Sequence, residues 1–306
     1  MDSFIKIGDI IKHYRIEKGL SQDELAEGIC SRKYISQLET HQNIPTLFII
    51  NALSAKLGVN LYDSYAIMLQ HHDIETHKKI TSLNQALAEG DFDKIHFLVE
   101  AYRLLPEFQQ SEPMQFLKYG ESVYLSNISL EYSQAISVAK SALPNNPLSN
   151  PQAIQHTYLS NIELTLLNFI AVNTCRLGDL QEGKKYFDFL YNYLNQLFIQ
   201  NHFVANRNNH FELRFFANLV YNDFCFFHKM DGFDSKRIDN VLELLKSLHS
   251  HFNLPELLLC KTALLLEQSL ISEAKRMYPL AHELGIYLYS EEEMQDLEQR
   301  ILPYTP

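Results

Sequence analysis

Long apolar runs are missing from this sequence. Its 306 residues contain no uninterrupted apolar stretch of roughly 18 or more, the length a membrane-spanning helix needs. The N-terminus lacks the charged and apolar regions of a secretory signal, so the expectation is a soluble, cytoplasmic protein with no membrane partner. Glycine is scarce at ten residues, and GxxxxGK[ST], GxGxxG and GxSxG are all absent. Phosphate-cradling loops and the nucleophile elbow are thereby excluded. The four cysteines, Cys30, Cys175, Cys225 and Cys260, are scattered without CxxC spacing in apolar helical contexts, as expected of reduced, packed thiols rather than disulfides or zinc ligands. Histidine is plentiful but badly spaced for a metal. His71 and His72 are adjacent, His249 and His251 are two apart, and no HExxH occurs. Neither metal nor cofactor is expected, and no enzyme chemistry is supported.

Positive charge is also short, with a net charge of −11, which argues against a generally basic nucleic-acid binder. The deficit is uneven. Residues 1–70 carry seven Lys/Arg against eight Asp/Glu, and the remaining 236 residues carry 19 against 29. The first part is close to neutral and can still present a local cationic face.

What is present begins with residues 21–39, SQDELAEGICSRKYISQLE, which reads as two short helices joined by a tight turn. Ser21 with Glu24 forms a capping box, and Leu25, Ala26 and Ile29 make the apolar face. Ser31 is the next N-cap, with Ile35 and Leu38 at helical spacing behind it. Arg32, Lys33, Ser36 and Gln37 are left on the outer face of the second helix, where long polar side chains suit a helix that meets base edges in a DNA major groove. Gln22, first in its helix, is expected to turn its amide toward a phosphate. Lys12, Arg15 and Lys18 are expected to add phosphate contacts. A helix over 6–18 closed by Gly19, a fourth from Thr46 to Gly58 and a fifth over about 61–69 complete a five-helix unit.

LSQDELA, YISQLE and ALSAKLGVNLYD resemble the phage-repressor (Cro/XRE) class of helix-turn-helix domain. The turn departs from that pattern: AEGICS spans Ala26 to Ser31 in six residues, and Cys30 rather than Gly precedes the cap. In this the chain is similar to the Rgg/PlcR/PrgX-like peptide-pheromone-responsive regulators of Gram-positive bacteria. The resemblance is specific over about the first 70 residues and architectural beyond them. It implies a quorum-sensing transcription regulator, with a short imported peptide bound in a C-terminal helical-repeat domain.

From about 73 onward the chain is a series of amphipathic helices without strand-like alternation. Breaks recur at Glu89-Gly90-Asp91-Phe92, near Asn127-Ile128, at Leu177-Gly178-Asp179-Leu180, at Met230-Asp231-Gly232-Phe233 and near Ser269-Leu270. Intervals of roughly 38 to 54 residues indicate an eroded, tetratricopeptide-like solenoid. Ala135 and Ala139, and Ala274 with Leu280 and Ala281, are assigned to inner positions. Ser290 caps a final helix with Glu291, Glu292 and Glu293 at its positive end, which either caps the solenoid or pairs with another subunit. The expected fold is thus all-α, with a helix-turn-helix domain over 1–70 and a helical-repeat domain over 71–306 for peptide sensing and dimerisation.

Two long helices carry polar stripes. Asn161, Thr165 and Asn168 share one face within 151–177, and Arg214, Asn218, Tyr221 and Asn222 share one within about 208–229, with Phe215, Phe216 and Leu219 directed to a core. Asn is an indifferent helix former, so its repetition needs a reason. It suits a groove that holds an extended peptide by its backbone, or equally a solvated face or inter-helix hydrogen bonds. Arg214 fits a peptide carboxylate or a structural ion pair. The expected partners are a palindromic double-stranded DNA operator, a signalling peptide and a second copy of the chain. Two alternatives remain: a ligand-independent dimeric repressor of phage or plasmid type, and a protein-binding scaffold with a vestigial helix-turn-helix.

Overall fold

The computed structural model describes residues 6–59, 61, 74–143, 159–200, 210–230 and 233–302. Among these residues the fold is all-α, with fifteen α-helices and no strand. It divides into two compact units, Met1–Tyr124 and Leu125–Pro306. The boundary expected near residue 70 and most of the fifth helix expected over 61–69 lie outside the described residues.

The first unit begins with α1 (Ile7–Glu17), α2 (Gln22–Ala26), α3 (Arg32–Glu39) and α4 (Leu47–Leu57). Ile10, Ile11, Leu25, Ile35, Leu38, Leu53 and Leu61 form its fully buried core. Each contributes about 1.5–3 kcal/mol by leaving water. Helices this short are not stable alone, so that core and their caps hold them. Ser21 accepts from the Glu24 amide while Glu24 accepts from the Ser21 amide, Ser31 accepts from the Tyr34 amide, and Thr46 accepts from the Ile49 amide. α5 (Ile74–Glu89), α6 (Phe92–Tyr102) and α7 (Ser111–Tyr124) follow and pack on one another. Ile80, Leu83, Ile95 and Phe108 are buried among them, and Gly120 lets α7 approach Leu83 and Val99 closely.

The second unit comprises α8 (Tyr132–Ser141), α9 (Asn161–Arg176), α10 (Leu180–Asn195), α11 (His210–Phe227), α12 (Lys236–Ser247), α13 (Leu254–Glu267), α14 (Ile271–Leu288) and α15 (Glu291–Ile301). Helix α9 packs on α10 and α11, α11 on α12 and α13, and α13 on α14 and α15. Contact with the next helix and the next but one is the pattern of a helical solenoid, and it places α9, α11, α13 and α15 in one layer. Arg237 ties α10, α11 and α12 together. It donates to Asp223 Oδ2 at 3.1 Å and to Asp188 Oδ1 at 2.6 Å, and its guanidinium lies 4.4 Å from the Tyr191 ring centroid.

The breaks at Gly90 and Gly178 share one backbone form. Asp91 N–H reaches back to Ala86 O and Asp179 N–H to Thr174 O, around Gly90 and Gly178 in the left-handed region. Each Asp then caps the following helix. This is the Schellman ending followed at once by a new N-cap. The same ending closes α12 and α13 with non-glycine residues, His249 (φ 51°) and Ser269 (φ 62°). The break after α12, at Leu248–Asn253, was not among those expected. Near Asn127 the chain makes a π-turn, Leu125–Ser129, before Leu130 at φ 54°. Asp231 and Gly232 lie outside the described residues. Ala135, Ala139, Ala274 and Ala281 are fully buried as expected, but Leu280 is 61% exposed. Ala274 and Ala281 are seven residues apart and share a face, whereas Leu280 lies about 100° away from it. Cys175 and Cys260 are buried and Cys30 is half-buried, but Cys225 is exposed rather than packed.

Candidate functional site

Gly8 sets the placement of α3. A Cβ there would sit 1.9 Å from the Leu38 carbonyl oxygen, so only glycine lets α1 lie against the backbone at the end of α3. Glu39, almost fully buried at the last turn of α3, then gathers three elements. Arg15 Nε donates to its Oε1 at 2.6 Å and Arg15 NH2 to its Oε2 at 2.9 Å, while Arg15 NH1 reaches the Leu20 carbonyl at 2.9 Å. Gln22 Nε2 donates to Oε2 at 2.9 Å. Burial pushes the Glu39 carboxyl up, but the hydrogen bonds from Arg15 and Gln22 outweigh it and hold the group below its ordinary value. The bond to Glu39 in turn raises the Arg15 guanidinium.

This staple engages two residues expected at phosphate. Arg15 is turned inward to a carboxylate and a carbonyl rather than outward to phosphate, because a buried Glu39 requires a donor fork. The Gln22 amide is likewise committed to Glu39. Glu39 was not among the residues expected to matter. The available signal was its position four residues after Ile35, on the edge of the apolar stripe.

Arg32, Lys33, Ser36 and Gln37 lie along α3 away from its buried Ile35 and Leu38. Arg32 and Lys33 are exposed in its first turn. Arg32 Nε lies 3.5 Å from Asp23 Oδ2, with both side chains about two-thirds exposed (66% and 70%), and such a pair is worth little and easily exchanged. Lys12 and Lys33 make no ion pair among the described residues. Ser36 and Gln37 are half-buried one turn on. Gln37 Oε1 accepts from Asn43 Nδ2 at 2.9 Å, and its carbonyl accepts from Gln42 N–H at 2.8 Å. Gln37 therefore also shapes the loop into α4. The left-handed residue of the α2–α3 turn is Gly28 (φ 77°), so the glycine missing before the cap is present two positions earlier.

In the repeat region α9 and α11, the two helices with polar stripes, pack directly on each other. Asn161 is the exposed first residue of α9, and its carbonyl accepts from the Thr165 hydroxyl at 2.8 Å. Asn168 Oδ1 is buried without a hydrogen-bond partner. Asn222 Nδ2 donates to Asn218 Oδ1 at 2.7 Å, which satisfies half of each within the helix. Burial drives the Tyr221 hydroxyl upward, with Cys225 adding to it. Phe216 and Leu219 are buried in the core and Phe215 half-buried. Arg214 is exposed and forms no ion pair among the described residues, nor do these residues contain a group of three or more His, Cys, Asp or Glu able to hold a metal ion. No helix among them is long and apolar enough to cross a membrane.

Residues 11–63 match the helix-turn-helix family model. This segment is a helix-turn-helix domain. No curated protein matches this chain. By structure it is similar to Bacillus thuringiensis PlcR in complex with the peptide PapR7 and DNA, with 20% identity, a TM-score of 0.63, and 98% of this chain and 99% of that one covered. PlcR in its apo form gives 18% identity and 0.55, over 96% and 97%. A Listeria monocytogenes protein described as a candidate transcriptional regulator gives 13% identity and 0.55, over 96% of each chain. The resemblance read from the sequence thus holds along the whole chain at the level of the fold.

Proposed function

We propose that this protein is a sequence-specific DNA-binding transcription regulator controlled by a short signalling peptide bound in its helical-repeat region. The observation that carries the reading is the pairing, in one chain, of a helix-turn-helix domain with a solenoid whose whole-chain fold is that of PlcR, a protein solved with peptide and DNA. Arg32, Lys33, Ser36 and Gln37 face the bases, and Lys12 contacts phosphate. Arg15 and Gln22 act as positioning residues through Glu39. Asn161, Asn168, Arg214, Asn218, Tyr221 and Asn222 belong to the peptide-binding layer. A two-fold dimer sets two recognition helices about one DNA turn apart, or a multiple of it, on a palindromic operator. Peptide acts by binding one arrangement of the dimer more tightly than another.

The test is operator binding by the purified protein with and without short peptides encoded beside its gene. A peptide that changes operator affinity or complex size at micromolar concentration supports the reading. Tight, specific DNA binding indifferent to every such peptide would leave a plain dimeric repressor.

A further inference from the structure

Glu256 lies in the first turn of α13 and is only 8% exposed. Its Oε1 accepts from the Tyr289 hydroxyl at 2.7 Å and from Asn253 Nδ2 at 3.4 Å. Its Oε2 is buried and has no hydrogen-bond partner. No Lys, Arg or His pairs with it among the described residues. Tyr289 is held as a firm donor, since burial and the adjacent carboxylate both drive its hydroxyl upward. Arg214 on α11 is near enough for its field to reach Tyr289, yet it makes no ion pair with Glu256. A carboxylate oxygen out of water without a donor is strongly unfavourable, and natural chains retain such groups mainly where something else completes them.

The same shortage recurs in this layer. Asn168 Oδ1 and Asn173 Oδ1 on α9 are also buried acceptors without donors. α9 and α13 thus hold three buried acceptor oxygens without donors, of which only that of Glu256 belongs to a carboxylate. We infer that the free oxygen of Glu256 anchors a cationic N–H group of the bound peptide, either its α-ammonium terminus or a Lys or Arg side chain. The inference rests on the peptide-sensor reading above and specifies which ligands that site takes. An ammonium or guanidinium completes the Oε2 hydrogen bond and neutralises the charge in one contact. A peptide lacking both leaves the carboxylate as it is.

The test uses the full-length protein and a synthetic pool of random heptapeptides. Peptides retained with the protein on gel filtration are sequenced by mass spectrometry, in parallel with an N-acetylated pool and a pool without Lys and Arg. Wild type is expected to retain peptides of the unmodified pool about tenfold over those of a pool both N-acetylated and free of Lys and Arg, and Glu256→Gln to retain the two alike. Loss of enrichment only on N-acetylation assigns the α-ammonium group, and loss only without Lys and Arg assigns a side chain. An unchanged preference in Glu256→Gln overturns the inference, as does wild type that retains peptides regardless of charge. Wild type that retains no peptide at all overturns the peptide-sensor reading along with it. Thermal melting of the peptide-free proteins is the second readout. An anchor predicts a melting temperature for Glu256→Gln equal to or above wild type, because an unmatched buried charge is removed while the Tyr289 bond can persist. A clear drop marks Glu256 as structural and overturns the assignment.

Discussion

On the proposed function, Arg32 and Lys12 separate two kinds of DNA contact. Arg32→Ala is expected to cost about 1–3 kcal/mol at the operator and to relax preference at one base position, as read by binding to operator variants. Equal weakening on operator and random DNA would make Arg32 a phosphate contact instead. Lys12→Ala is expected to weaken both uniformly and to lower the salt slope by about one. Arg15 belongs to a different class. Arg15→Ala strands Glu39 in the interior, and breaking a buried pair costs roughly 3 kcal/mol or more, so the loss should appear in melting before it appears in specificity. Glu39 also gives the staple a pH dependence of definite sign. Its carboxyl is held below the ordinary value in the folded chain. Its contribution is therefore complete above the unfolded pKa of about 4.3 and is lost as pH falls through the lower, folded one. Acid titration of melting should show a loss below about pH 4 that Glu39→Gln lacks.

Helices and their junctions show what could be read in advance. The capping box at Ser21 and the caps at Ser31, Thr46 and Ser290 were legible because each depends on residues within one turn. So were the breaks at Gly90-Asp91 and Gly178-Asp179, where glycine and aspartate mark the turn by type. The break after α12 was not, because its left-handed position is filled by His249, and of the break placed near Asn127 only the location was legible, not its π-turn form ahead of Leu130. Composition carries no sign of a turn enforced by packing on either side. The Glu39 staple was hidden for a related reason: Arg15 and Glu39 are 24 residues apart, and only the tertiary fold joins them. The polar stripes were legible as stripes, but which of their atoms would lack partners depends on neighbouring helices. Close approach between helices also escapes the pattern. A Cβ on Gly183 would lie 2.3 Å from Cys175 Sγ, where α10 crosses α9. Gly183→Ala is expected to cost about 1–3 kcal/mol in denaturant unfolding, and adding Cys175→Ala should recover most of it. Failure of that rescue would place the strain in the backbone instead.

For the molecule as a whole, the solenoid layer and the DNA-binding domain divide the chemistry sharply, with nearly all of the net negative charge lying after residue 70. The inward turn of Arg15 has a further consequence for how this chain meets a chromosome. Of the seven cations in residues 1–70, Arg15 is spent on Glu39, Arg32 lies beside Asp23, and Lys56 donates to the Glu27 carbonyl. At most about five cations per head, the loosely paired Arg32 included, remain to displace counterions from DNA, which sets a slope no steeper than about −4.5 per head in a log–log plot of affinity against salt. Sequence-independent adhesion is correspondingly slight. On the proposed function, such a protein spends little time adsorbed on random DNA and depends on base contacts, doubled where two heads pair, to stay where it lands.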